Sequence, residues 1–196
     1  MNTSELKTLT VEQAKELIKG AEGCLILDGL PELSADVSEV LAQHVGDLDL
    51  NGLTALSADV SKTLAQHKGY LKLNGLSEIS SDAAEALVEH KGTIELNGLK
   101  TLSVDAAAAL AKRRDIKLLN GLTTISTEVA RAFAEPSTSD SNDQLRLDGL
   151  PTLSDEAAAA LAEYRGSLSL RGLTALSDKA IASLAYHLRF YFSVIP

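Results

Sequence analysis

The chain has 196 residues, 45% hydrophobic and 23% charged, the composition of a folded chain and not of a disordered one. Its net charge of -9 disfavours nucleic acid and anionic membrane as partners, and no apolar run approaches the roughly 20 residues of a membrane helix. One cysteine, Cys24, leaves no intramolecular disulfide, and the polar N-terminus lacks a signal-peptide core, so a reducing, cytoplasmic setting is expected.

The first predicted element is a helix over the stretch LTVEQAKELI (9–18), which matches the back half of a unit that then recurs. An acidic, Asn or Arg residue followed by Gly and Leu stands at Asp28, Asn51, Asn74, Asn97, Asn120, Asp148 and Arg171. Subtracting successive positions gives intervals of 23, 23, 23, 23, 28 and 23. Internal periodicity of this kind marks a repeat architecture.

Each unit reads as strand, turn and helix. Leu48 and Leu50 alternate as in a short strand with one buried face. Asn51 and Gly52 suit a turn with positive φ, and Leu53 and Leu56 point back inside. Ser57 is the expected helix N-cap, with Asp59 in the favourable first turn, and Ser34, Ser80, Ser103, Ser126, Ser154 and Ser177 are its equivalents. Val60, Leu64 and His67 share a helix face, and Gly69 stands where a left-handed residue ends a helix. One unit cannot bury its own apolar stripe, so the units must stack. A helix takes about 10 Å of lateral room and a strand about 4.8 Å, so the stack bends with its strands inside.

These residues resemble a leucine-rich repeat protein over about 9–190, with a period inside that family's range. Counted in the family's register, its ladder Asn falls on Leu53 and its first Leu on Val45, Lys68 and Lys91, so the resemblance is to a divergent, bacterial-type subclass. The resemblance implies an α/β curved solenoid, a horseshoe or arc with a parallel sheet on the concave face and helices on the convex face. The expected organisation is one repeat domain over 1–196. A capping half-repeat covers 1–24, and seven repeats cover 25–187 with an insertion near 136–144. A capping strand or edge covers 188–196.

The fifth unit is irregular. Lys117 takes the place of a strand Leu, so a bulge is expected to bring Ile116 or Leu118 inward. Lys112, Arg113, Arg114 and Lys117 form the one basic cluster, read as a solvated helix end or else as an anion contact. Pro136 stops the following helix, and the polar run after it is an exposed loop. Asp140, Asn142 and Gln144 faintly match a calcium loop, but Leu145 occupies its Gly position and no Glu closes it. Phe190, Tyr191 and Phe192 belong to an aromatic tail with two readings: a final strand that seals the stack, or an exposed edge for a homodimer.

Chemistry-bearing residues fall into columns. His44, His67, His90 and His187 share one repeat position, read as half-buried helix-end residues packed on the next unit. Helix spacing of about 10 Å puts them too far apart for one zinc ion. Ser57 and His67 stand at opposite ends of a helix about 15 Å long, which excludes a hydrolase triad built from these columns. No phosphate loop, nucleophile elbow or metalloprotease motif occurs, so no catalytic residue, metal or cofactor is expected. The outward strand column, Ile26, Asp49, Lys72, Glu95, Arg146 and Ser169, faces the concave side, with Tyr70 flanking it. Asp49, Lys72 and Glu95 alternate in sign and either satisfy one another or form a partner site centred on Tyr70 and Lys72. Asp49, Tyr70, Lys72, Glu95 and Arg146 are therefore the partner-binding candidates of a non-enzymatic protein-interaction module. The alternative is a structural protein that self-assembles through Phe190, Tyr191 and Phe192.

Overall fold

A computed structural model describes residues 5–113, 118–135 and 144–191, with 186–191 as backbone. Helices and parallel strands alternate in an α/β arrangement without a closed barrel among the described residues. The helices are α1 (Val11–Gly20), α2 (Ala35–Leu41), α3 (Ala58–Leu64), α4 (Ser81–Leu87), α5 (Val104–Ala111), α6 (Thr127–Ala134), α7 (Asp155–Leu161) and α8 (Asp178–Tyr191). The strands are β1 (Leu25–Ile26), β2 (Leu48–Asp49), β3 (Leu71–Lys72), β4 (Ile94–Glu95), β5 (Gln144–Arg146) and β6 (Ser167–Ser169).

The strands pair in unit register. Leu25 lies beside Leu48, Leu48 beside Leu71, and Leu71 beside Ile94, giving a parallel sheet β1-β2-β3-β4. A second sheet pairs β5 with β6. Each helix packs on the helix of the next unit, from α1 on α2 through α7 on α8. The core lies between these layers. Leu48, Leu50 and Leu53 from the strand and turn meet Val60 and Leu64 from the helix, and all five are buried, as are their counterparts among the described residues. Each such side chain contributes about 1.5–3 kcal/mol of burial free energy. No helix among the described residues is long and apolar enough to cross a membrane.

The seven expected Ser caps all bond the backbone N–H three residues on, for example Ser57 Oγ to Val60 N at 3.3 Å and Ser177 Oγ to Ala180 N at 3.0 Å. Thr10 caps α1 in a full capping box with Gln13.

The glycines require a correction. Positive φ occurs only at Gly23 (77°) and Gly46 (146°) among the described residues, and Asn51, Gly52 and Gly69 do not adopt it. Gly52 is needed for proximity: a Cβ there would stand 2.1 Å from the carbonyl oxygen of Asp28 in the preceding unit. At Gly69 a Cβ would stand 1.7 Å from Gly46 O. Asn51, for its part, serves the next unit, because its Oδ1 accepts the backbone N–H of Asn74 at 2.9 Å. The same bond runs from Asn97 N to Asn74 Oδ1 (2.8 Å), Asn120 N to Asn97 Oδ1 (3.4 Å), Asp148 N to Asn120 Oδ1 (3.2 Å) and Arg171 N to Asp148 Oδ1 (3.0 Å).

Two further expectations change. Leu118 does not turn inward: it bridges Arg146 in the outward column, while Leu119 is buried in the place of Leu50. Residues 188–191 are helical, not a capping strand, because α8 runs on through Tyr191. Ile116, Lys117, the 136–143 part of the insertion and Phe192 lie outside the described residues.

Candidate functional site

The outward strand column places Asp49, Lys72 and Glu95 side by side in neighbouring strands, with Asp49 opposite Lys72 and Lys72 opposite Glu95. Asp49 is 6% exposed, which corrects its expected place as an open contact residue. Its Oδ2 takes Lys72 Nζ at 3.1 Å, and its Oδ1 accepts from the Asn51 side-chain amide. The hydrogen bond from Lys72 Nζ to Asp49, and then the charge of Asp49, hold the ammonium above its ordinary pKa. The Lys72 side chain remains 34% exposed.

Tyr70 reaches diagonally to the next unit, where its hydroxyl donates to Glu95 Oε1. Glu95 Oε2 accepts from Asn74 Nδ2 at 2.8 Å. Burial, followed by the Glu95 hydrogen bond and charge, pushes the Tyr70 phenol up to about 12. Its backbone N–H donates to Asp47 Oδ1 at 3.0 Å, which fixes the chain at the start of β3. The column is therefore internally paired across three units. Lys72 joins it to unit two and Tyr70 joins unit three to unit four.

Beside this network lie Asp28 and Cys24. Burial first, then the Asp49 carboxylate, raises the Asp28 carboxyl. Partial desolvation and the same carboxylate raise the thiol of exposed Cys24, leaving it a poor nucleophile at neutral pH.

Arg146 belongs to the other sheet and is not brought to this network. Its Nε and Nη2 donate to Asp148 Oδ2 at 3.3 and 3.1 Å. Asp148 Oδ1 accepts from Ser169 Oγ at 2.6 Å. Burial alone would raise the Asp148 pKa, but Ser169, the Arg171 N–H and Arg146 outweigh it and lower it. Phe190 and Tyr191 end α8, far along the chain from Tyr70.

Three of the column's histidines are buried rather than half-buried: His44, His67 and His90 are 4%, 1% and 2% exposed, and the side chain of His187 lies outside the described ones. Their rings stack face to face, with centroids 6.5 Å apart for His44–His67 and 6.1 Å for His67–His90. Arg113 continues the column. It is buried, and its guanidinium donates to Leu87 O (3.1 Å), His90 O and Gly92 O (2.7 Å), so the solvated-cluster reading does not hold for it. Lys112 is exposed, 3.9 Å from Glu85. Among the described residues no group of three or more His, Cys, Asp or Glu is placed to hold a metal ion. The sign alternation of the strand column was visible in the sequence. The diagonal Tyr70–Glu95 bond and the ring stack depend on register and depth, which the spacing did not display.

No protein-family model matches the chain, and no curated protein matches it.

Proposed function

We propose that the chain is a non-enzymatic protein-interaction module, a curved solenoid of leucine-rich-repeat type that binds a protein partner on its strand face. One observation carries the reading: the polar residues that recur are consumed in joining units, whereas those that vary gather on the strand face. The Ser caps close helices, the Asn column binds the next backbone, and the His column lies buried. Tyr70, Lys72 and Glu95 are partly exposed, rigidly held and mixed in sign, the properties of a surface that recognises a partner through an aromatic anchor and charge complementarity. The difference in width between helix and strand supports the bend that would make that face concave.

The test is capture of a partner from native cell extract by the full chain, compared with Tyr70→Ala/Lys72→Ala. A captured protein that is lost with the variant, whose circular dichroism stays that of the parent, is the expected result. Equal capture by both chains would move the site elsewhere. Turnover of a small molecule by the purified chain would replace the reading with an enzymatic one.

A further inference from the structure

The outer two of the stacked imidazoles reach back to backbone carbonyls of the segment before them. His44 Nε2 lies 2.8 Å from Gly23 O and His90 Nε2 lies 3.1 Å from Gly69 O, each in the preceding unit. A carbonyl only accepts, so Nε2 carries the proton in both rings and Nδ1 is bare. The Nδ1 atoms of all three rings, and Nε2 of His67, are buried and find no hydrogen-bond partner among the described residues. A neutral ring tolerates an unpaired Nδ1 lone pair. An imidazolium would place a second N–H and a full charge in this buried site, where desolvation opposes the charged form.

The charges around the column do not supply the missing compensation. Asp47 favours the charged form of His67, as do the nearby carbonyls of Ala42 and Gly46, but desolvation outweighs them and lowers the pKa of that ring. His90 is lowered by desolvation and then by the Arg113 cation, against the Gly69 and Ala65 carbonyls. Each ring also faces the next at 6.1–6.5 Å, so a proton on one repels a proton on its neighbour. Glu39, Lys62 and Lys68 line the recess beside His44 and Gly46.

We propose that His67 and His90, stacked in line with the ring of His44, form an acid-sensitive latch: neutral, they hold units one to three together, and protonated, they release those units locally. Units four and six lack it, with Arg113 and Tyr164 in the same position. Acid therefore opens the half of the molecule that carries Tyr70, Lys72 and Glu95, while α7 stays closed. Loss of a partner in acid would rest on the binding role proposed above, but the latch itself does not.

The sign is that of a histidine buried neutral. The open state binds protons more readily, so the latch is intact above the ordinary histidine pKa of about 6.5 and is lost as pH falls below it. Each proton taken up on opening raises the opening constant about tenfold per pH unit. The test is amide hydrogen exchange of the full chain between pH 7.5 and 5.0, corrected for intrinsic rates, beside the double variant His67→Gln/His90→Gln. The expected result is an opening constant for α3 and α4 that rises up to about 100-fold per pH unit below pH 6 in the parent. In the variant that slope is absent, and in α7 no rise occurs in either chain. An NMR titration of the imidazoles in the parent decides the matter if the variant does not fold, with His67 and His90 titrating below about 6.5. Titration at or above that value, an equal slope in the variant, or an equal rise in α7 would overturn the latch.

Discussion

Asn74 Oδ1 accepts the backbone N–H of Asn97 from the next unit at 2.8 Å. The bond is one rung of a ladder that also spans the interval of 28 residues between Asn120 and Asp148, where the insertion lies. Replacing Asn74 by Leu leaves the Asn97 N–H without an acceptor and removes the amide that holds Glu95 Oε2. Stability should fall by about 1–3 kcal/mol, the cost of an unsatisfied part-buried donor. Asn74→Asp with Glu95→Gln keeps the rung's acceptor without setting two carboxylates together, and should lose less. Urea denaturation of the three chains checks this, and equal stability of parent and Asn74→Leu would mean that the rung contributes nothing.

The glycines separate close approach from backbone conformation. Gly75→Ala would put a Cβ 2.0 Å from Asn51 O, a backbone atom that cannot turn aside. The units must then part, and a loss of about 3 kcal/mol or more is expected. Gly23→Ala meets open space but has φ of 77°, so it should cost only about 1 kcal/mol. Gly20→Ala meets neither obstacle and should be neutral or stabilising by up to about 1 kcal/mol. A thermal melt of each variant would give that order, and a Gly75→Ala chain as stable as Gly20→Ala would contradict it.

What was legible follows from this contrast. The Leu, Val and Ala positions spelled out the layers and the Ser positions the caps, because burial periodicity and capping are local properties. Asn51 and Gly52 were misread as a positive-φ turn because their usual local chemistry gives no hint of the neighbour 23 residues away. Their real partners, Asn74 N and Asp28 O, exist only once the units are stacked. His67 was read as half-buried for a similar reason: its full depth is set by His44 and His90 on either side of its ring. Within the candidate site, the Lys72–Asp49 pair was one of the two readings that the alternating signs offered, and the burial of Asp49 was in neither.

That burial gives the pair a testable asymmetry. Lys72→Met leaves the Asp49 carboxylate without its cation, held by the Asn51 side-chain amide and backbone N–H and by Asp28, and should cost about 1–2 kcal/mol, reduced from the fully buried case because a third of Lys72 is exposed. Adding Asp49→Asn removes the stranded charge and should recover most of the loss. A double-mutant cycle in urea measures the coupling, and strictly additive losses would show that the two side chains do not interact.

The Tyr70 hydroxyl yields a spectroscopic prediction. Burial and Glu95 push its phenol up to about 12, so the folded chain holds this proton more tightly than the unfolded chain does. The contribution to stability is therefore complete below an ordinary tyrosine pKa of about 10 and is lost as pH rises toward about 12. At pH 11 an unshifted phenol is about nine-tenths ionised, whereas Tyr70 should be about one-tenth ionised while the chain stays folded. The absorbance of phenolate, taken as parent minus Tyr70→Phe, reads that fraction directly. The parent should also lose more thermal stability between pH 9.5 and 11 than Tyr70→Phe, which has no hydroxyl to ionise beside Glu95. A difference titration centred on pH 10 would mean that the bond from Tyr70 to Glu95, and with it the tie between the third and fourth units on the strand face, is not formed in solution.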